Sequence, residues 1–108
     1  MRMFGLNACD TCRKAKKMLQ NNGVTVEFVD VRSDGVALAD LRRFHAAFGG
    51  ALLNTRSTTW RQLPTPERSR EPLDLLAHYP SLMKRPVIEA DGVLYLGWGK
   101  DVQNSLLG

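Results

Sequence analysis

Cysteine is nearly absent from this chain: only Cys9 and Cys12 occur in 108 residues. A scaffold stapled by several disulfides is thereby excluded, and any thiol chemistry is confined to one place. Histidine is equally scarce. His45 and His78 are not spaced as metal ligands, and one Cys-x-x-Cys supplies half of the four ligands a structural zinc takes. The expectation is no metal and no bound cofactor. No apolar run approaches the ~20 residues of a membrane span, and residues 1–8 lack a basic segment followed by a long apolar one. A cytoplasmic setting without membrane contact is expected. Repeats and internal linkers are lacking too, so residues 1–108 are read as one domain.

What remains is the composition of an ordinary globular protein, 44% hydrophobic and 24% charged, with a net charge of +4. The basic residues are scattered over Arg13/Lys14/Lys16/Lys17, Arg42/Arg43, Arg56/Arg61, Arg68/Arg70 and Lys84/Arg85. With no zinc-finger or RNA-binding signature among them, the charge argues for solvated surface and a small anionic ligand rather than nucleic acid.

Alternation and helical spacing place the elements. Met3 to Leu6 reads as a short buried strand and Arg13 to Asn22 as a helix stopped near Gly23. Val24, Val26 and Phe28 alternate with Thr25, Glu27 and Val29, which predicts a second strand. Leu38, Leu41, Phe44 and Phe48 predict a helix over 36–48, with Arg42 and Arg43 outside. Residues 52–60 read as short helical turns, and the Pro-rich stretch from Pro64 to Pro72 as a loop with little regular structure. Pro72 opens a short helix with Leu73, Leu76 and Ala77 inward, and Pro80 closes it. Asp91-Gly92 joins two strands as a hairpin, and residues 100–107 form a last helix. The order predicts an α/β fold, a mixed sheet covered by helices.

Cys9-Asp10-Thr11-Cys12 falls at the first strand-to-helix junction. Free backbone N–H groups and roughly half a positive charge at a helix N-terminus favour an anion. A thiolate at Cys9 is thus expected below the free value of about 8.5. Arg13 and Lys16 add to this and Asp10 opposes it. Cys12 shares a stripe with Ala15 and Leu19 and is expected to be the less exposed thiol. That makes Cys9 the attacking thiol and Cys12 the resolving one. Lys84-Arg85-Pro86 precedes a strand; Arg85 either caps the sheet edge or binds an oxyanion bidentately.

Asn7-Ala8-Cys9-Asp10-Thr11-Cys12-Arg13-Lys14-Ala15, Leu53-Asn54-Thr55-Arg56, Thr58-Thr59-Trp60-Arg61 and Pro80-Ser81-Leu82-Met83-Lys84-Arg85-Pro86-Val87 together resemble the arsenate-reductase-like ArsC/Spx family over nearly the whole chain. The resemblance implies a thioredoxin-like fold with a helical insertion between the second and third strands. It also implies a cis peptide at Arg85–Pro86, close to Cys9. It makes Cys9 the reactive cysteine and Arg85 the arginine that helps hold an oxyanion, with Arg13, Arg56 and Pro86 as further binding candidates. The arsenate reductases proper use two more arginines, which align with Asn54 and Gly97 here. Losing two guanidinium forks weakens arsenate binding by on the order of several kcal/mol.

Asn54-Thr55-Arg56, Trp60-Arg61 and Leu96-Gly97-Trp98 look more like the YffB-type branch, regarded as glutathione-dependent thiol reductases. The Cys-x-x-Cys is similar to that of Spx, a regulator that binds RNA polymerase and senses oxidation. Three readings follow. The first is a monomeric thiol-disulfide reductase acting on a small thiol, an anionic substrate or a protein disulfide, with glutathione or another thiol as donor. The second is an Spx-like redox regulator binding RNA polymerase through a basic face at Arg42/Arg43 or Lys16/Lys17. The third is an arsenate reductase.

Overall fold

The computed structural model describes residues 1–108. Strand β1 (Arg2–Gly5) leads into helix α1 (Asp10–Asn21) and strand β2 (Glu27–Asp30). A helical insertion follows: α2 (Leu38–Phe48), a 3-10 turn at Gly49–Leu52, α3 (Thr58–Gln62), α4 (Thr65–Arg68), α5 (Pro72–His78) and a 3-10 turn at Pro80–Leu82. The chain closes with β3 (Val87–Ala90), β4 (Val93–Leu96) and α6 (Lys100–Leu107). The sheet order is β2-β1-β3-β4, with β1 parallel to β2 and the other neighbours antiparallel. This is the mixed sheet with flanking helices of a thioredoxin-like fold, carrying the expected insertion between β2 and β3.

Pleating divides the core in two. Successive strand residues face opposite ways, and β1 pairs with β3 so that Phe4 lies opposite Val87 and Met3 opposite Ile88. Phe4 and Val87 join the insertion residues Leu41, Phe44, Leu52, Leu75, Leu76 and Met83 in the larger cluster. Phe4 meets Phe44 edge-on, ring centroids 4.9 Å apart. Met3 and Ile88 pack with Ala15, Leu19 and Trp98 on the other face.

The insertion departs from the sequence reading in three places. Residues 65–68 form a helical turn rather than a loop. Pro66 lies within its first turn, where a fixed φ is preset for helix, and Arg68 ties it down by donating to the Trp60 and Arg61 carbonyls. In α5, Leu75 and Leu76 are buried while Ala77 is exposed. Leu38 stands at the open end of α2, 48% exposed. The hairpin turn is as expected, with positive φ at both Asp91 and Gly92.

Glu89 joins sheet and insertion through its carboxylate, which accepts from Arg43 at 2.7 Å and Arg2 at 2.8 Å; Asp40 pairs with Arg43 at 3.0 Å. The Arg43 and Arg2 hydrogen bonds hold the Glu89 carboxyl well below its ordinary value, at about 2. Such a group stabilises the fold above its unfolded pKa, and the contribution is lost as pH falls through the folded value. Glu89→Gln is therefore expected to lower stability at neutral pH and to flatten its decline between about pH 4 and pH 2. Urea titrations across that range test this; a variant with the parental acid slope would exclude Glu89 as a source of acid sensitivity.

Candidate active site

The site is built where β1, α1 and the start of β3 converge. Cys9 is the N-cap residue of α1, with φ −82° and ψ 119° and no side-chain cap bond. Its backbone N–H donates to the Leu6 carbonyl at 3.0 Å and its carbonyl accepts from Arg13 N–H at 3.0 Å. Those two bonds define a tight loop between β1 and α1 and set Cys9 at the N-terminus of the helix.

Cys9 is partly exposed and Cys12 is fully buried; both are free thiols. Partial burial pushes the Cys9 thiol up. The Cys12 backbone N–H, the Cys12 thiol and the Arg85 guanidinium outweigh that, leaving Cys9 below its ordinary value. For Cys12 burial is again the largest influence and pushes the thiol up. Cys9 pushes it further, the Leu6 N–H and Arg85 pull the other way, and the result is about 12. The two thiols are thus displaced in opposite directions, and Cys9 is the one that ionises first as pH rises.

Gly5, at the end of β1, makes room for this arrangement. A Cβ there would lie 2.5 Å from Cys12 Sγ and 3.3 Å from Cys12 Cβ. This feature was missed in the sequence, where Gly5 is only one apolar-strand residue among several.

The Arg85 guanidinium is near enough to help lower the Cys9 thiol, and the Arg85–Pro86 peptide is cis. One edge of its guanidinium is anchored to main chain: Nη1 donates to the Ser81 carbonyl at 2.6 Å and to Met83 at 3.5 Å. Nε is buried and has no protein partner. The remaining edge is therefore available to an acceptor beside the thiolate. Pro86 is buried, and its carbonyl accepts from Gly97 N–H at 2.8 Å, so the Gly97–Trp98 turn lies against the same corner.

The other candidates sit differently. Arg13 is paired with Asp10 on the exposed first turn of α1, and neither is among the main influences on the Cys9 thiol. Lys16 lies over the Phe28 ring, 5.3 Å from its centroid. Arg56 is exposed in the loop before α3, its N–H donating to Asn54 Oδ1 at 3.1 Å. That loop is stitched to the segment that leads through Arg85 into β3: Asn54 N–H donates to the Leu82 carbonyl at 2.8 Å, and Lys84 N–H to the Leu52 carbonyl at 2.7 Å. Arg43 belongs to the Glu89 network, so the proposed basic face at Arg42/Arg43 has one free arginine instead of two.

The molecule's one depression of appreciable volume, about 140 Å³, lies elsewhere. It is lined by Gly35, Val36, Leu41, Leu76, Ala77, Pro80 and Met83. No chemistry-bearing side chain reaches it, so the thiols and not the cavity mark the site.

A dithiol at the start of the first helix, facing an arginine and a cis-proline across a β2-β1-β3-β4 sheet, defines a thioredoxin-like protein with a Cys-x-x-Cys centre. Residues 4–104 match the ArsC family, and the chain belongs to it. An uncharacterised protein of Haemophilus influenzae is 37% identical over 105 residues, spanning 91% of this chain and 90% of its own. The global transcriptional regulator Spx 1 of Lactococcus lactis is 27% identical, spanning 87% of this chain and 78% of its own. Among solved structures, a YffB protein superposes with a TM-score of 0.86 at 30% identity, covering 99% of this chain and 98% of its own. An arsenate reductase (ArsC) related protein of Brucella melitensis does so with a TM-score of 0.73 at 34% identity, covering 96% and 90%. These relatives thus include one named as related to an arsenate reductase and one named as a transcriptional regulator.

Proposed function

We propose that this chain is a cytoplasmic, monomeric thiol-disulfide reductase in which Cys9 attacks and Cys12 resolves. The observation that carries it is the asymmetry of the two free thiols: Cys9 is the part-exposed N-cap of α1 and is held below its ordinary value, and Cys12, one turn on, is fully buried and pushed up. The Cys9 thiolate attacks one sulfur of a substrate disulfide, forming a mixed disulfide and expelling the other half as a thiolate that takes a proton from water. Cys12 then loses its proton and attacks the Cys9 sulfur. The second substrate thiolate leaves and is protonated, and a Cys9–Cys12 disulfide remains. The substrate has gained two electrons and two protons. Two molecules of glutathione, or another thiol, return the dithiol and leave as their own disulfide.

The mixed disulfide also frees Cys12 to act. Once Cys9 is covalently bound its negative charge is gone, and with it the repulsion that helps hold the Cys12 thiol up. Arg85 remains and favours the Cys12 thiolate. Ultraviolet titration of the thiols, in the parent and in Cys12→Ser, with a glutathione-disulfide challenge followed by mass, tests the scheme. A depressed Cys9 titration and an adduct cleared only when Cys12 is present would support it. An ordinary titration with no adduct would overturn it.

Arg85 supplies the anion-holding edge. Arg85→Ala is expected to raise KM for an anionic disulfide by about tenfold or more, since a charge-assisted pair is lost, and to move the Cys9 thiol upward. An unchanged KM and titration would remove Arg85 from the site.

A regulatory reading is favoured by the Spx relatives alone. It predicts capture of RNA polymerase that responds to reductant, without turnover. Arsenate reduction predicts arsenate-dependent consumption of thiol, and the Asn54 and Gly97 positions argue for weak activity.

A further inference from the structure

Asp30 is the one charged side chain buried in this protein, 8% exposed. It ends β2, opposite Gly5 at the end of β1. No arginine or lysine pairs with it. Its carboxylate is satisfied by backbone alone, and the two oxygens divide the work. Oδ1 accepts from Arg32 N–H at 2.9 Å and Ser33 N–H at 3.0 Å, closing the turn after β2. Oδ2 accepts from Asn7 N–H at 2.9 Å, reaching across 23 residues into the loop that precedes Cys9.

That reach is more than a turn needs. The turn is already held by the Asp34 carboxylate accepting Asp30 N–H at 2.9 Å and by Asp34 N–H donating to the Asp30 carbonyl at 2.9 Å. The Asn7-Ala8 loop is closed by the Cys9 N–H to Leu6 carbonyl bond, but both side chains are exposed, so packing does not fix them and the Asn7 N–H bond to Asp30 is what ties the loop to β2. Burying a carboxylate is costly unless every oxygen is bonded, and one of these oxygens is spent on the residue two before the attacking thiol.

We propose that Asp30 is a positioning residue for Cys9: its buried carboxylate clamps the Asn7 N–H and so fixes the loop that sets Cys9 at the N-terminus of α1. It touches no substrate and acts through the loop. The proposal rests on Cys9 being the attacking thiol. The Asn7, Ser33 and Arg32 N–H groups also hold the Asp30 carboxyl below its ordinary value, with Asn7 the largest influence, so the clamp stays ionised at neutral pH.

Asp30→Asn separates the clamp from the turn. An amide has one acceptor oxygen, and the turn offers it two donors against one from Asn7. The oxygen is expected to stay with Arg32 and Ser33, leaving an NH2 group against Asn7 N–H. Cys9 should then titrate nearer the ordinary thiol value, and iodoacetamide should alkylate it at least about threefold more slowly at pH 7, in proportion to the lost thiolate. Asp34→Ala loosens the turn without touching Asn7 and should leave both readings at the parental value. A folded Asp30→Asn with parental titration and alkylation would overturn the proposal, as would an equal shift in Asp34→Ala. Hydrogen exchange of the Asn7 amide in the unaltered protein tests the clamp without any variant: protection is expected, and exchange at the rate of a free loop amide would overturn it. Titration and alkylation read the thiol itself, so they stand whether or not the chain turns over disulfides; absence of turnover in the unaltered protein, with these readings as expected, would count against the reductase reading alone.

Discussion

Cys9→Ser is expected to remove disulfide reduction by at least about a hundredfold, because the hydroxyl that replaces the thiolate is not ionised near neutrality. Cys12 cannot take over. It is fully buried, and burial, the largest influence on its thiol, still pushes it up when Cys9 is gone. Cys12→Ser has a different signature. Attack by Cys9 proceeds, the serine cannot displace the bound half, and a one-to-one mixed disulfide accumulates. Mass spectrometry after mixing with a disulfide, under limiting external thiol, distinguishes the two variants. Equal loss of activity with no trapped species in Cys12→Ser would sink the division of roles. Trapping on Cys12 in the Cys9→Ser protein would reverse it.

Gly5→Ala is expected to cost about 1–3 kcal/mol of stability, the range for forcing extra volume into a packed site. The new methyl meets Cys12 Sγ at 2.5 Å. That sulfur belongs to a buried side chain on a helix whose Ala15 and Leu19 are also buried, so it has little freedom to yield. The same collision displaces Cys12 from Cys9, and closure of the Cys9–Cys12 disulfide should slow with the loss of stability. The effect is specific to one contact. In a Gly5→Ala/Cys12→Ala protein the sulfur is gone, and the coupling between the two changes should recover on the order of 1 kcal/mol. Urea unfolding of the four proteins in that cycle gives the answer. Strict additivity would mean that Gly5 is not the socket for Cys12.

Much of the fold is legible locally. Helical spacing puts Cys12, Ala15 and Leu19 on one stripe, and those are the residues α1 buries. Asp91-Gly92 takes the positive-φ pair of a tight hairpin because those residue types tolerate it. The second strand begins at Glu27 rather than Val24, and two of the misreadings in the insertion fall on helices of four and seven residues, too short for periodicity to speak. Residues 65–68 became helical because Arg68 found carbonyls eight and seven residues back.

What the sequence by itself determined is the dithiol and its asymmetry: a Cys-x-x-Cys at a strand-to-helix junction, with the second cysteine on the buried stripe. These follow from chain geometry over a few residues. Only the tertiary structure decided what surrounds the sulfurs. It left Gly5 without a side chain beside Cys12, sent the Asp30 carboxylate to Asn7, and turned Arg85 toward Cys9. It also withdrew Arg43 and Lys16, one into an ion-pair network and the other over an aromatic ring. Each of these partners is set by strand register and helix docking between residues far apart in the chain, and neither leaves a periodic trace in the sequence.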